Sequence, residues 1–88
     1  MKFEIEVPIQ GKFQYLTVER IHKSDFTEQY KVSGKIVIIV LQTNWPILRR
    51  KHLNKKAPSW KLIEGKLENA SLLETIIIYL EKAAIFKI

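Results

Sequence analysis

Between Trp45 and Lys61 the chain reads WPILRRKHLNKKAPSWK, with six lysines and arginines, one histidine and no carboxylate. Residues of these types can grip phosphates. The forked guanidinium groups of Arg49 and Arg50 match pairs of phosphate oxygens, and Lys51, Lys55, Lys56 and Lys61 act as point charges. Trp45 and Trp60 flank the run, where flat rings could stack on unpaired bases. The same residues also fit a plain solvated connection, with both tryptophans turned inward to cover the end of a small core. Exposure of the two indole rings decides between these readings: rings in water favour stacking, and buried rings leave electrostatic attraction alone.

The span gains weight from where the charge is. The chain carries 15 Lys and Arg against 9 Asp and Glu, a formal net charge of +6. Six of the 15 lie in the span, which leaves nine cations to balance the nine carboxylates elsewhere. A neutral body with one cationic stretch draws an anionic partner to that stretch. The partner implied is nucleic acid or another polyanion. No helix in the sequence combines a basic face with side chains placed for a major groove, so the expected binding is weak and indifferent to base sequence.

Other chemistry has little material. The histidines, His22 and His52, fall in different loops outside any metal-ligand spacing, and the single aspartate, Asp25, makes no carboxylate cluster. Ser24 and Asp25 beside His22 form turn and cap material, because neighbours in one loop compete for local backbone bonds and lack the geometry of a nucleophilic triad. Gly11, Gly34 and Gly65 stand far apart, so there is no phosphate-cradling loop. With no cysteine, thiol nucleophiles, disulfides and thiolate metal sites are excluded. The expectation is a non-enzymatic protein without cofactor or metal.

These residues need elements to position them. KFEIEV alternates Phe3, Ile5 and Val7 against Lys2, Glu4 and Glu6, the period of a half-buried strand. PIQG, Pro8 to Gly11, is a turn, and Lys12 to Ile21, rich in aromatic and β-branched residues, pairs back as a hairpin. His22 to Glu28 reads as a loop, Tyr30 to Val32 as a short strand, and Ser33-Gly34 as a two-residue turn. The next strand, Lys35 to Thr43, is apolar throughout from Ile36 to Leu41, which predicts a strand in the middle of the sheet with both faces covered. Asn44 is placed to cap a short turn beginning with Trp45 and Pro46. Ile47, Leu48 and Leu53 are the aliphatic residues available to pin the basic span, and Pro58 ends any helix in it. Trp60 to Leu67 then reads as a further strand.

The last element has the clearest pattern. Ser71 and Glu74 have the spacing of a capping box. At helical period, Leu72, Leu73, Ile76, Ile77, Leu80, Ala83 and Ala84 fall on one broad face, with Glu74, Thr75, Glu81 and Lys82 opposite. Ile78 and Ile85, seven apart, interrupt the polar side; they are either ordinary exposed residues or a seam against a second copy or another protein. One helix on one sheet also leaves a second sheet face open to a partner.

The predicted fold is therefore α+β: an antiparallel sheet of four to five strands with one C-terminal helix packed on one face. The 88 residues suit a single domain spanning 1–88. The longest apolar run, six residues, is far short of the roughly 20 of a membrane helix, so no membrane partner is expected. Glu4 and Glu6 interrupt the apolar core a secretory signal needs, which points to a cytoplasmic setting.

Overall fold

A computed structural model describes residues 2–35, 37–50, 59–67 and 69–83 of the chain. Five strands, β1 (Lys2–Ile9), β2 (Lys12–Lys23), β3 (Glu28–Ser33), β4 (Ile38–Thr43) and β5 (Trp60–Glu64), form one sheet in the order β1-β2-β3-β4-β5. Every neighbouring pair is antiparallel. A short helix α1 (Trp45–Arg50) follows β4, and helix α2 (Ala70–Lys82) packs across one face. The expected α+β architecture is what the chain adopts.

The first hairpin closes later than its proline suggests. Gln10 and Gly11 form the turn, with φ of 53° and 77°, so both central residues take the positive φ that a type I′ turn requires. Pro8 stays inside β1, opposite Phe13. Ladder bonding alternates along an antiparallel pair, and a two-residue turn makes Ile9 and Lys12 a mutually bonded pair. Pro8 therefore directs its missing donor to the outer edge of the sheet, where a proline is tolerated.

Alternation fills one face of the sheet. Val7 from β1, Leu16 and Val18 from β2, Tyr30 and Val32 from β3, and Ile39 and Leu41 from β4 are buried there, and Ile76 and Leu80 of α2 close over them. Leu72, Leu73 and Ile77 flank that contact as expected, while Ile78 points outward and is 49 % exposed. The cap of α2 is Asn69, two residues before the predicted Ser71: its Oδ1 accepts from the Ser71 backbone N–H at 2.9 Å and from the Ser71 hydroxyl at 2.7 Å. An asparagine oxygen reaches the first-turn amides as well as serine would, so the helix starts two residues earlier, at Ala70.

Two expectations about β4 change. The β3–β4 connection runs from Gly34, whose N–H donates to the Val37 carbonyl at 2.7 Å, and the strand begins at Ile38 instead of Lys35. β4 is paired on both sides, by β3 and β5, but its faces are not both covered. Val40 is sheltered at 7 % exposure, whereas Ile38 is 66 % exposed on the face opposite α2. One helix covers one side of a sheet, and the elements described here leave the other side bare.

Candidate functional site

The basic span starts at the end of β4 and returns at the start of β5, and its two ends are tied to each other. Asn44 N–H donates to the Ser59 carbonyl at 3.4 Å, and Ser59 N–H donates to Asn44 Oδ1 at 2.7 Å. The Asn44 side chain thus bridges to Ser59 instead of capping α1. The first turn of α1 uses Thr43 Oγ1, which accepts from Trp45 N–H at 3.3 Å, and the Asn44 carbonyl, which accepts from Ile47 N–H at 3.0 Å. Proline at the second helical residue costs no bond there. Arg49 and Arg50 close α1, while Lys51, His52, Leu53, Lys55, Lys56 and Pro58 lie outside the described residues. Lys61 is exposed on β5, beside Gln42.

Both tryptophans are drawn to the core. Trp45 is 6 % exposed and packs in the core cluster with Leu48, so its ring has no face left for a base. Trp60 is half-buried against the same cluster, its ring centroid 6.2 Å from that of Tyr30 at a tilt of 52°. The stacking role considered for Trp45 gives way to a packing role, because its ring is buried in the core cluster where β4 ends.

A buried polar chain runs beneath the same end of the sheet. Glu28, 2 % exposed, accepts from Arg20 Nη1 at Oε2 and from the Tyr30 hydroxyl at Oε1, both at 3.2 Å. Burial, with the Glu28 charge behind it, pushes the Tyr30 phenol up to about 12. On α2, burial raises the Glu81 carboxyl, opposed by a hydrogen bond from the Trp60 side chain. Residues of β2, β3, β5 and α2 are therefore joined through Arg20, Glu28, Tyr30, Trp60 and Glu81. Sequence periodicity had no means of finding this set, since its members are far apart in the chain. Its carboxylate is already engaged by two donors, which gives it a structural part.

The open face of the sheet is the other feature. Phe13, Tyr15, Ile21, Ile38 and Ile63 are exposed. Two bulges shape this side: Ile21 is the extra residue between the Arg20–Tyr30 and His22–Gln29 pairs, and Ile63 the extra residue between the Leu62–Leu41 and Glu64–Val40 pairs. The second bulge also moves Glu64 off the core face that simple alternation gives it. A shallow depression of about 530 Å³ lies here, lined by Ile21, Lys31, Ile38, Val40, Glu19 and Glu64 among others. Near Tyr15, Glu6 raises the phenol through a hydrogen bond and its charge. Those carboxylates make the aromatic part of the face a poor seat for phosphates.

Of the predicted interface pair, Ile78 is exposed on α2 and Ile85 lies outside the described residues. His22 is exposed at the β2 bulge. Among the described residues, no group of three or more His, Asp or Glu could hold a metal ion, and no helix is long and apolar enough to cross a membrane. Neither a family model, nor a curated protein, nor a solved structure matches the chain.

Proposed function

We propose that the chain is a non-enzymatic binding module whose basic span, 45–61, meets a polyanion, nucleic acid foremost, weakly and without reading base sequence. The observation that carries this reading is the confinement of all the surplus charge to a span whose ends are held together by Asn44 and Ser59. The described ends of the span, Asn44 and Ser59, leave and re-enter the sheet at one corner. Lys23 and Lys61 are exposed on strands of the same end, while Glu4 and Glu6 lie on β1 at the opposite edge. Such a charge separation orients an anionic partner. Binding of this kind belongs in the cytoplasm and needs no cofactor.

With Trp45 committed to the core, attraction to phosphates supplies the affinity. If the six cations of the span meet phosphates on duplex nucleic acid, raising salt from about 50 to about 200 mM weakens binding by roughly three decades. Reversing Arg49, Arg50, Lys55 and Lys56 to glutamate abolishes it. A titration at about 50 mM salt that detects no binding to single- or double-stranded DNA or RNA sinks the reading.

A second reading is an interaction domain that associates through exposed apolar residues. The exposure of Ile38 on the open face favours it, with Ile78 on the outer side of α2 as a separate, smaller spot.

A further inference from the structure

We infer that the open face of the sheet is covered by a second copy of the chain, the two sheets packed face to face about a two-fold axis that lies across the strands. The inference rests on the second reading above and is independent of the basic span.

The face is built for a partner of mixed charge. Its side chains outside the apolar centre include Lys2, Lys31 and Lys61 and also Glu4, Glu6, Glu19 and Glu64, three cations against four anions. A strongly charged partner of either sign meets repulsion somewhere on it. A second copy meets its own complement, provided the symmetry sets unlike groups together.

The strand registers identify such a symmetry. Lys2, Glu19, Lys31, Val40 and Glu64 share one row across the sheet, and Glu4, Thr17, Ser33 and Ile38 form the next. A two-fold axis between these rows lays each on the other. Ile38 then sits over the partner's Val40, Lys2 near the partner's Glu4, Glu19 near the partner's Thr17 and Lys31 near the partner's Ser33. No like charges are opposed in either row. An axis along β3 instead sets Lys31 against its own copy. Pairing two β1 edges about their middle sets Glu4 and Glu6 against each other and meets the missing donor of Pro8. Packed sheets lie about 10 Å apart, a gap that isoleucine and valine fill at the centre and that lysine and glutamate bridge at the rim.

Sedimentation equilibrium of the full chain from about 1 µM to about 1 mM tests this. The expected mass rises from the 10.4 kDa monomer toward twice that value. Ile38→Lys, or Ile21→Lys as a second variant, keeps the circular dichroism of the parent and raises the dissociation constant about tenfold or more; Ile78→Lys leaves the dimer intact. Lys2→Glu weakens the dimer, and Lys2→Glu with Glu4→Lys restores it. A monomer at every concentration overturns the inference and assigns the face to a different occupant. A dimer that survives Ile38→Lys and Ile21→Lys places self-association on another surface. One that ignores both the single and the paired charge changes overturns the axis.

Discussion

The same strands present two faces with opposite fates. On one, β1 to β4 turn in Val7, Leu16, Val32 and Leu41, and α2 lays Ile76 and Leu80 over them until all six are essentially out of water. On the other, alternation sends out Glu4, Glu6, Glu19 and Lys31, yet the apolar Ile38 and Val40 share that face, the first 66 % exposed and the second 7 % exposed. Folding accounts fully for the apolar residues of the first face. It gives no reason for those of the second, since solvent-facing strand positions are served as well by threonine or lysine. The association proposed above would supply such a reason.

Truncation separates the two faces most sharply. Leu80→Ala opens a cavity between helix and sheet and lowers unfolding free energy by about 2–5 kcal/mol in a urea titration. Ile38→Thr, measured on the monomer, stays within about 0.5 kcal/mol of the parent. Equal losses at the two positions erase the distinction.

The polar chain under the core end comes next. Arg20→Ala leaves the buried Glu28 carboxylate with Tyr30 as its partner and costs about 2 kcal/mol, less than a wholly buried pair because Arg20 is partly solvated. Tyr30→Phe, which leaves Arg20 in place, costs about 1 kcal/mol. Both side chains touch the core face, so neither change alters association through the open one.

Proton linkage gives smaller effects with definite signs. Folded Tyr30 keeps its proton up to about 12, whereas an unfolded tyrosine releases it near 10. Its contribution is complete below pH 10 and is lost as pH rises toward 12. In an ultraviolet titration Tyr30 ionises near 12, and Tyr30→Phe removes that phase. Glu81 is also raised, so the folded chain holds its proton longer than the unfolded one, and stability falls as pH climbs above the ordinary 4.5. Glu81→Gln flattens that stretch of the stability profile. The smallest change is expected at the hairpin: Gln10→Asn suits a positive φ better than glutamine and adds about 0.5 kcal/mol to the melting stability.

Much of the fold was legible in order. Phe3, Ile5 and Val7 announce a strand by their period, and the stripe from Leu72 to Leu80 announces a helix lying on a sheet, because both patterns repeat within a few residues. Boundaries slipped where a partner in space supplies what sequence neighbours do not. Pro8 looks like a turn residue until β1 proves to be an edge strand among the described residues; Asn44 looks like a cap until Ser59 arrives to take its oxygen. Of the candidate site, the cationic span could be read from residue types alone. The resting place of the two indoles could not, nor could the row that puts Lys31 beside Glu19 and Val40.

Alternation, the helical stripe and the confinement of surplus charge to 45–61 belong to the sequence, since each is set by residue type and short-range spacing. Tertiary structure decided which sheet face stays open, where Ile21 and Ile63 bulge out, how Arg20, Glu28 and Tyr30 meet, and that Trp45 turns inward. Those outcomes depend on the register between segments far apart in the chain, and register is settled by the packing of whole elements against one another.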